Sequence, residues 1–211
     1  MRPSYELVGP GIEGRVKFGF RKEKTGATPS LVKQVHGKIV LNQETILNKT
    51  ELPEADAIYT RSTGAGIWVF TADCLPVILA GGATIAAIHA GWRGSKLGIV
   101  REAISVSGLA GKKFHAVFGP ALLACCFEVK EDFVTEFSAA RGDLSAYLER
   151  REEKWFFDLV RFVMIEEFKG ESQVTFHAQH IRCTRCSVPE LPSFRRNKVA
   201  EPRIRTWVER N

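Results

Sequence analysis

Two residues with reactive side chains, Cys74 and His89, bracket an apolar stretch in IWVFTADCLPVILAGGATIAAIHAGWRG, residues 67–94. Two β-prone runs are joined there by Gly81-Gly82, a pair that predicts a two-residue hairpin loop. With those glycines as the loop, Ala80 faces Ala83 and Cys74 lies opposite His89. Directly opposed residues hold their Cβ atoms roughly 4.5–5.5 Å apart, so a thiolate and an imidazole there could share one metal ion or one proton. The same register pairs Ile78 with Ile85, Pro76 with Ala87, Val77 with Ala86 and Leu75 with Ile88. Both faces are then apolar, which places the hairpin at the centre of a sheet. The plain alternative is a core cysteine beside a hydrogen-bonded core histidine.

The residues after His89 add charge to this pair. Ala90-Gly91-Trp92-Arg93-Gly94 leads into SKLGIVREAISVSG, where Leu97, Val100, Ala103 and Ile104 recur at helical spacing and Gly108 is a stop. A helix N-terminus beside Arg93 would attract a phosphate or carboxylate. Read blandly, it is a strand-to-helix connection with a solvated arginine. His36 sits at a His36-Gly37 turn within LVKQVHGKIV, between a strand and a returning strand. Two histidines and a cysteine make a three-ligand zinc set with a vacant fourth position, although spacing alone does not bring His36 to the pair.

Other candidate ligands are less promising. In His177-x-x-His180-x-x-Cys183-x-x-Cys186 a continued strand would put His177 and Cys183 on one side and His180 on the other, against a single metal site. The neighbouring Cys125 and Cys126 favour a packing role, because vicinal cysteines seldom bind one ion together. Arg195 and Arg196 read as substrate contacts or as solvated surface.

The elements that would carry these residues begin with a strand over 15–20, followed by the polar loop RKEKTGATPS. Residues 55–60, ADAIYT, form a short ordered segment before the hairpin. Beyond the first helix, KKFHAVF reads as a strand ending at a Gly119-Pro120 break. Phe133, Val134 and Phe137 have helical spacing, Asp143 could cap a further helix, and FDLVRFVMIEEFKG reads as a helix ended by Gly170.

The whole chain is 211 residues, 45% hydrophobic and 26% charged, which predicts one domain over 1–211. No run approaches the roughly 18–20 apolar residues that span a membrane, and the start lacks a signal-peptide core. Five cysteines without a secretion signal point to reduced thiols and a cytoplasmic location. The net charge of +6 is dispersed along the chain, which favours an anionic small substrate over nucleic acid.

The strings KQVHG (33–37), ADAIYT (55–60), TADCLPVIL (71–79), AAIHAGWRG (86–94), GPALLACCFEV (119–129) and CTRC with PSFRR (183–196) resemble the YfiH-like family. Its members carry the descriptions laccase-domain protein, multicopper polyphenol oxidase, peptidoglycan-editing factor and purine nucleoside phosphorylase with adenosine deaminase activity. The resemblance implies a mixed α/β (α+β) fold of β-sheets sandwiched by helices. It implies an active-site zinc on His36, Cys74 and His89. It also implies that Asp73, Arg93 and Gln34 line or support the site, with Asp73 the nearest candidate acid or base and Arg21 standing for a family arginine. The N-terminal Phe-Ser-Thr-Arg-like turn with its Asn-Leu stretch is absent here, and EPRIRTW replaces the usual Thr-Gly-Arg.

The implied reactions are phosphorolysis of purine nucleosides and deamination of adenosine, with nucleoside and phosphate as partners in a monomer or homodimer. A copper-dependent oxidase is the alternative, but a multicopper enzyme needs a histidine-rich cluster and this chain has five histidines in all. A third possibility is metal-free: Cys74 as nucleophile and His89 as base, cleaving peptidoglycan or another amide.

Overall fold

The computed structural model describes residues 4–23, 31–46, 50–199 and 201–211. Its strands, in chain order, are β1 (Tyr5–Leu7), β2 (Val16–Glu23), β3 (Val40–Asn42), β4 (Ala57–Thr60), β5 (Gly66–Thr71), β6 (Leu75–Gly81) and β7 (Thr84–Ala90). After them come β8 (Phe114–Phe118), β9 (Glu128–Val129), β10 (Leu148–Arg151), β11 (Lys154–Phe157), β12 (Val174–His177) and β13 (Arg203–Arg210). The helices are α1 (Trp92–Leu97), α2 (Ile99–Val106), α3 (Glu131–Arg141), α4 (Leu159–Phe162), which runs into a π turn at Val163–Glu167, and α5 (Phe194–Asn197).

The central sheet has the order β12-β8-β6-β7-β4-β3, and a second sheet has the order β1-β2-β13-β5. Every residue of β6 and β7 is buried, because both faces of the central sheet are covered. Val77, Leu79, Ala86 and Ile88 pack on one side with Val100, Ala103 and Ile104 of α2. Ile78, Ala80, Ile85 and Ala87 pack on the other with Phe18, Val69 and Val208 of the second sheet. The fold is therefore mixed α+β, with the hairpin central as its composition predicts. A small third sheet, β10-β11-β9, completes the set.

The hairpin register differs from the expected one. Gly81 pairs with Thr84, so the loop is Gly82-Ala83 and Gly82 takes the positive φ of +53°. Gly81 is a strand residue for a different reason: a Cβ there would stand 2.5 Å from the Phe114 Cβ, so its glycine permits close approach of β8. Moving the loop by one residue moves every partner by two, and each side chain keeps its face. Pro76, not Cys74, therefore opposes His89, while Ile78 pairs with Ala87, Val77 with Ile88 and Leu75 with Ala90.

Other expectations are revised near the site. LVKQVHGKIV is not a hairpin: only Val40–Asn42 forms a strand, and residues 31–39 are irregular apart from a bridge between Lys33 and Glu54. The strand expected over 15–20 continues to Glu23, and the rest of RKEKTGATPS, residues 24–30, lies outside the described residues. The strand at VTFHAQHIRC stops at His177. Asp143 accepts from the Ser145 N–H at 2.8 Å, but the helix it would cap is one 3-10 turn, Ser145–Tyr147.

Candidate active site

His89 lies at the end of β7 and is 3% exposed. On one side it opposes Pro76; on the other the β4–β7 ladder pairs Ala57 with Ile88, which brings Asp56 across from His89 one step further along. The His89 N–H donates to the Asp56 carbonyl at 2.7 Å, and the His89 Nδ1 meets Asp56 Oδ1 at 2.8 Å. Asp56 is wholly buried, and its carboxylate also accepts the backbone N–H groups of Val35 (3.3 Å), His36 (2.9 Å) and Gly37 (2.7 Å). One carboxylate thus holds both the ring of His89 and the loop that presents His36. A carboxylate so surrounded stays ionised: burial works against the charge, but His89 and the backbone donors outweigh it and keep the pKa below the usual range.

Cys74, His36 and His89 come together in the structure, each offering one ligand atom, and these atoms lie within 4.8 Å of one another. Cys74 reaches His89 along a diagonal of the hairpin, and the position across from it is taken by Gly91. A Cβ on Gly91 would stand 2.9 Å from the Cys74 Sγ and 3.2 Å from the His36 Cδ2. His36 has a φ of +61°, a backbone state that Asp56 stabilises through three consecutive amides. The His36 and His89 rings are 4.7 Å apart at 71°. His36 is exposed, Cys74 half-buried and His89 buried, so the site opens to solvent on the His36 side.

The metal-free electrostatics are those of a thiolate–imidazolium pair. Burial would raise the Cys74 pKa, but the charge of His89 and hydrogen bonds with both histidines bring it down to about 6. Burial would lower that of His89, but the Cys74 thiolate and Asp56 raise it to about 9. Two nitrogens and one thiolate, with His89 Nδ1 tied to a carboxylate so that Nε2 faces Cys74, match the donor chemistry of a zinc site that keeps one position open.

The remaining expected residues separate into roles. Asp73 has φ +87° and its carboxylate points to the C-terminal segment, accepting from Thr184 Oγ1 and from the Arg195 N–H, each at 2.6 Å. That engagement supports a positioning role beside Cys74 in place of acid–base chemistry. Gln34 donates to the Phe70 carbonyl at 2.7 Å and accepts the Phe70 N–H at 2.8 Å, fastening the His36 loop to β5. Arg93 is exposed and stacks on Trp92 at 4.3 Å, available to an anion. α1 begins there as predicted but has only six residues before Gly98 turns to φ +87°, so its dipole adds little.

Arg21 is placed elsewhere. It pairs with Glu23 at 2.8 Å and lines an open cleft of about 340 Å³ with Trp68, Arg205 and Trp207, which contains none of the three ligands. Arg195 and Arg196 are half-buried, and their guanidinium groups donate to backbone carbonyls. Arg195 Nη1 donates to the Glu128 carbonyl, and Arg196 donates to the carbonyls of Thr184, Arg185, Pro189 and Leu191.

Asp56 is the functional residue that motif reading missed. Its signal was a lone acid inside ADAIYT, a segment otherwise suited to burial. The other histidines lie apart from the centre: His115 Nδ1 meets His177 Nε2 at 2.8 Å, and His180 packs against Tyr5 at 4.2 Å.

These observations agree with what the chain resembles. The family model described as multi-copper polyphenol oxidoreductase laccase matches residues 20–209. A relative named purine nucleoside phosphorylase from Aquifex aeolicus (strain VF5) is 36% identical over 165 residues, 77% of this chain and 75% of the relative. Purine nucleoside phosphorylase YfiH from Escherichia coli (strain K12) is 32% identical over 192 residues, 89% of this chain and 76% of the relative. Among solved structures, Neisseria meningitidis protein NMB0706 has the same fold with a TM-score of 0.81 at 22% identity, covering 99% of both chains. Bacillus licheniformis protein YfiH gives 0.73 at 19%, covering 86% of this chain and 74% of the other. The chain belongs to the YfiH-like, laccase-domain family. No helix among the described residues is long and apolar enough to cross a membrane.

Proposed function

We propose that this chain is a zinc-dependent purine nucleoside phosphorylase that also deaminates adenosine, acting on adenosine, inosine or methylthioadenosine. The observation that carries the reading is the convergence of His36, Cys74 and His89 behind an Asp56 carboxylate, in a chain whose relatives carry that enzyme's name. The donor set suits zinc, which when bound there would supply a Lewis acid and an acidified water at an open position. Asp56 fixes the His89 tautomer, Cys74 contributes its thiolate, and the Asp56-held loop presents His36 from the solvent side. The Arg93 guanidinium, flattened on Trp92, offers a donor fork to phosphate. Phosphorolysis transfers the ribose C1′ from base to phosphate; deamination replaces the C6 amino group with oxygen from water and releases ammonia.

Incubation of untagged protein with adenosine and phosphate, following adenine, hypoxanthine, inosine and ribose-1-phosphate, tests the reading. Product formation that requires zinc and is lost in His89→Ala supports it; no purine product from zinc-loaded protein would overturn it.

A second reading has one observation in its favour. Asp56, His89 and Cys74 follow the acid–base–nucleophile order of a cysteine hydrolase. Cys74→Ser separates the two, since a covalent thioester mechanism loses its nucleophile whatever metal remains, whereas metal-dependent turnover falls in proportion to metal content. The oxidase alternative is disfavoured because the chain's other three histidines do not gather with His36 and His89 into a histidine-rich cluster.

A further inference from the structure

Cys183 and Cys186, the end of a run whose strand spacing argues against a single metal site, meet the vicinal pair Cys125-Cys126 in space. The sulfurs of Cys125, Cys126, Cys183 and Cys186 all lie within 4.8 Å of one another, and Cys125 Sγ is 3.6 Å from Cys186 Sγ. Four thiolates around a zinc ion with bonds of about 2.3 Å stand roughly 3.8 Å apart, so the spacing suits one tetrahedral ion. All four cysteines are free thiols. Cys126 and Cys183 are buried while Cys125 and Cys186 are exposed, so the four sulfurs gather at the surface, where an ion can enter. The two histidines of the same sequence motif turn away, His177 to His115 and His180 to Tyr5, which is why sequence order concealed the grouping.

We propose that these four cysteines form a structural metal site, for zinc by the softness and number of its donors, separate from the His36/Cys74/His89 centre. Binding exchanges the four thiol protons for one divalent cation and leaves the cluster net negative. Arg151, donating to the Ala124 carbonyl at 3.4 Å, and Arg196, donating to the Thr184 and Arg185 carbonyls, place two guanidinium groups around it.

The site has a mechanical purpose. Residues 178–199 contain only the four-residue α5, too little regular structure to fix their position. A bridge between Ala121 and Cys183, with the Thr184 N–H on the Ala121 carbonyl at 3.0 Å, is the existing tie to the 119–127 segment. The metal would lock that tie. Thr184 and the Arg195 N–H in turn hold the Asp73 carboxylate, and the Leu122 N–H holds its carbonyl at 2.8 Å, so both clamped segments grip the residue next to Cys74.

Elemental analysis of the untagged full chain, purified under reducing conditions, tests this. Wild type should carry about two zinc ions per chain, with about one kept by His89→Ala and about one by the double variant Cys125→Ser/Cys186→Ser, whose replaced residues are exposed. If the reading of the His36 centre fails instead, wild type holds about one zinc, retained in His89→Ala and lost in the double variant. Should the double variant not fold, cobalt-substituted wild type and Cys74→Ser decide: an intense tetrathiolate spectrum persists in both if the proposal holds. Equal metal content in wild type and the double variant, a cobalt spectrum without tetrathiolate character, or a Cys125–Cys186 disulfide in reduced protein would overturn it.

Discussion

Asp56 stands across from His89 on the neighbouring strand, and the two side chains meet at 2.8 Å with Asp56 wholly buried. The pair fixes which ring nitrogen faces the cavity, because Nδ1–H is given to the carboxylate. In Asp56→Asn the amide can donate where the carboxylate only accepts, which favours the tautomer with a proton on Nε2. Metal affinity should fall about 10–100-fold, measured by competition with a chromogenic chelator, with little change in the far-ultraviolet circular dichroism. Undiminished affinity would show that the carboxylate serves only the 35–37 loop.

Much of this arrangement was legible in the sequence, for identifiable reasons. Alternation in β6 and β7 survives a register shift of two, so the faces were readable although the partners were not. The partners depended on why Gly81 is a glycine, and that reason, the Phe114 Cβ, lies on another strand. Cys74 and His89 were paired from the hairpin and His36 was added by donor chemistry and resemblance, whereas the convergence of all three depends on Asp56 gathering three amides of an irregular loop. The four-cysteine group was invisible because its halves are far apart in sequence, and each half alone is a weak signal.

Gly91 tests the close packing around Cys74. Its buried position leaves a Cβ only 2.9 Å from the Cys74 Sγ and 3.2 Å from the His36 ring. In Gly91→Ala both ligands must shift, while the hairpin core beneath is untouched. The His36/Cys74/His89 site should lose most of its metal and the enzyme its turnover, with the thermal midpoint of the metal-free protein nearly unchanged. Normal metal content in the variant would show that the loop yields easily.

Metal-free Cys74 should react as a thiolate near neutral pH. Its pKa falls from 9.0 to about 6, against the effect of burial, because of His89 and His36. Alkylation by iodoacetamide, mapped to the Cys74 peptide by mass spectrometry, should therefore rise through a midpoint near pH 6 and be flat above neutrality, where an ordinary thiol is still climbing. His89→Ala removes the main attracting charge, and the midpoint should move up. Zinc should protect the peptide in wild type.

The helices beside the site depend on one buried acid. Glu167 is 1% exposed, accepts from Arg141 Nη2 at 2.6 Å, and receives the Val100 and Arg101 N–H groups at 3.1 and 3.3 Å. Those amides open α2, whose N-cap, Gly98, has no side chain to satisfy them. Glu167→Ala would leave the Arg141 guanidinium and two helix amides without their acceptor at once. Breaking a buried pair from one side typically costs about 3–5 kcal/mol, and urea unfolding should show a loss of that order. Glu167→Gln keeps an acceptor for the amides and should lose less. Because Glu167 touches none of the three ligands, the protein that remains folded should bind metal as wild type does; a parallel loss of metal affinity would mean that α2 also positions His89.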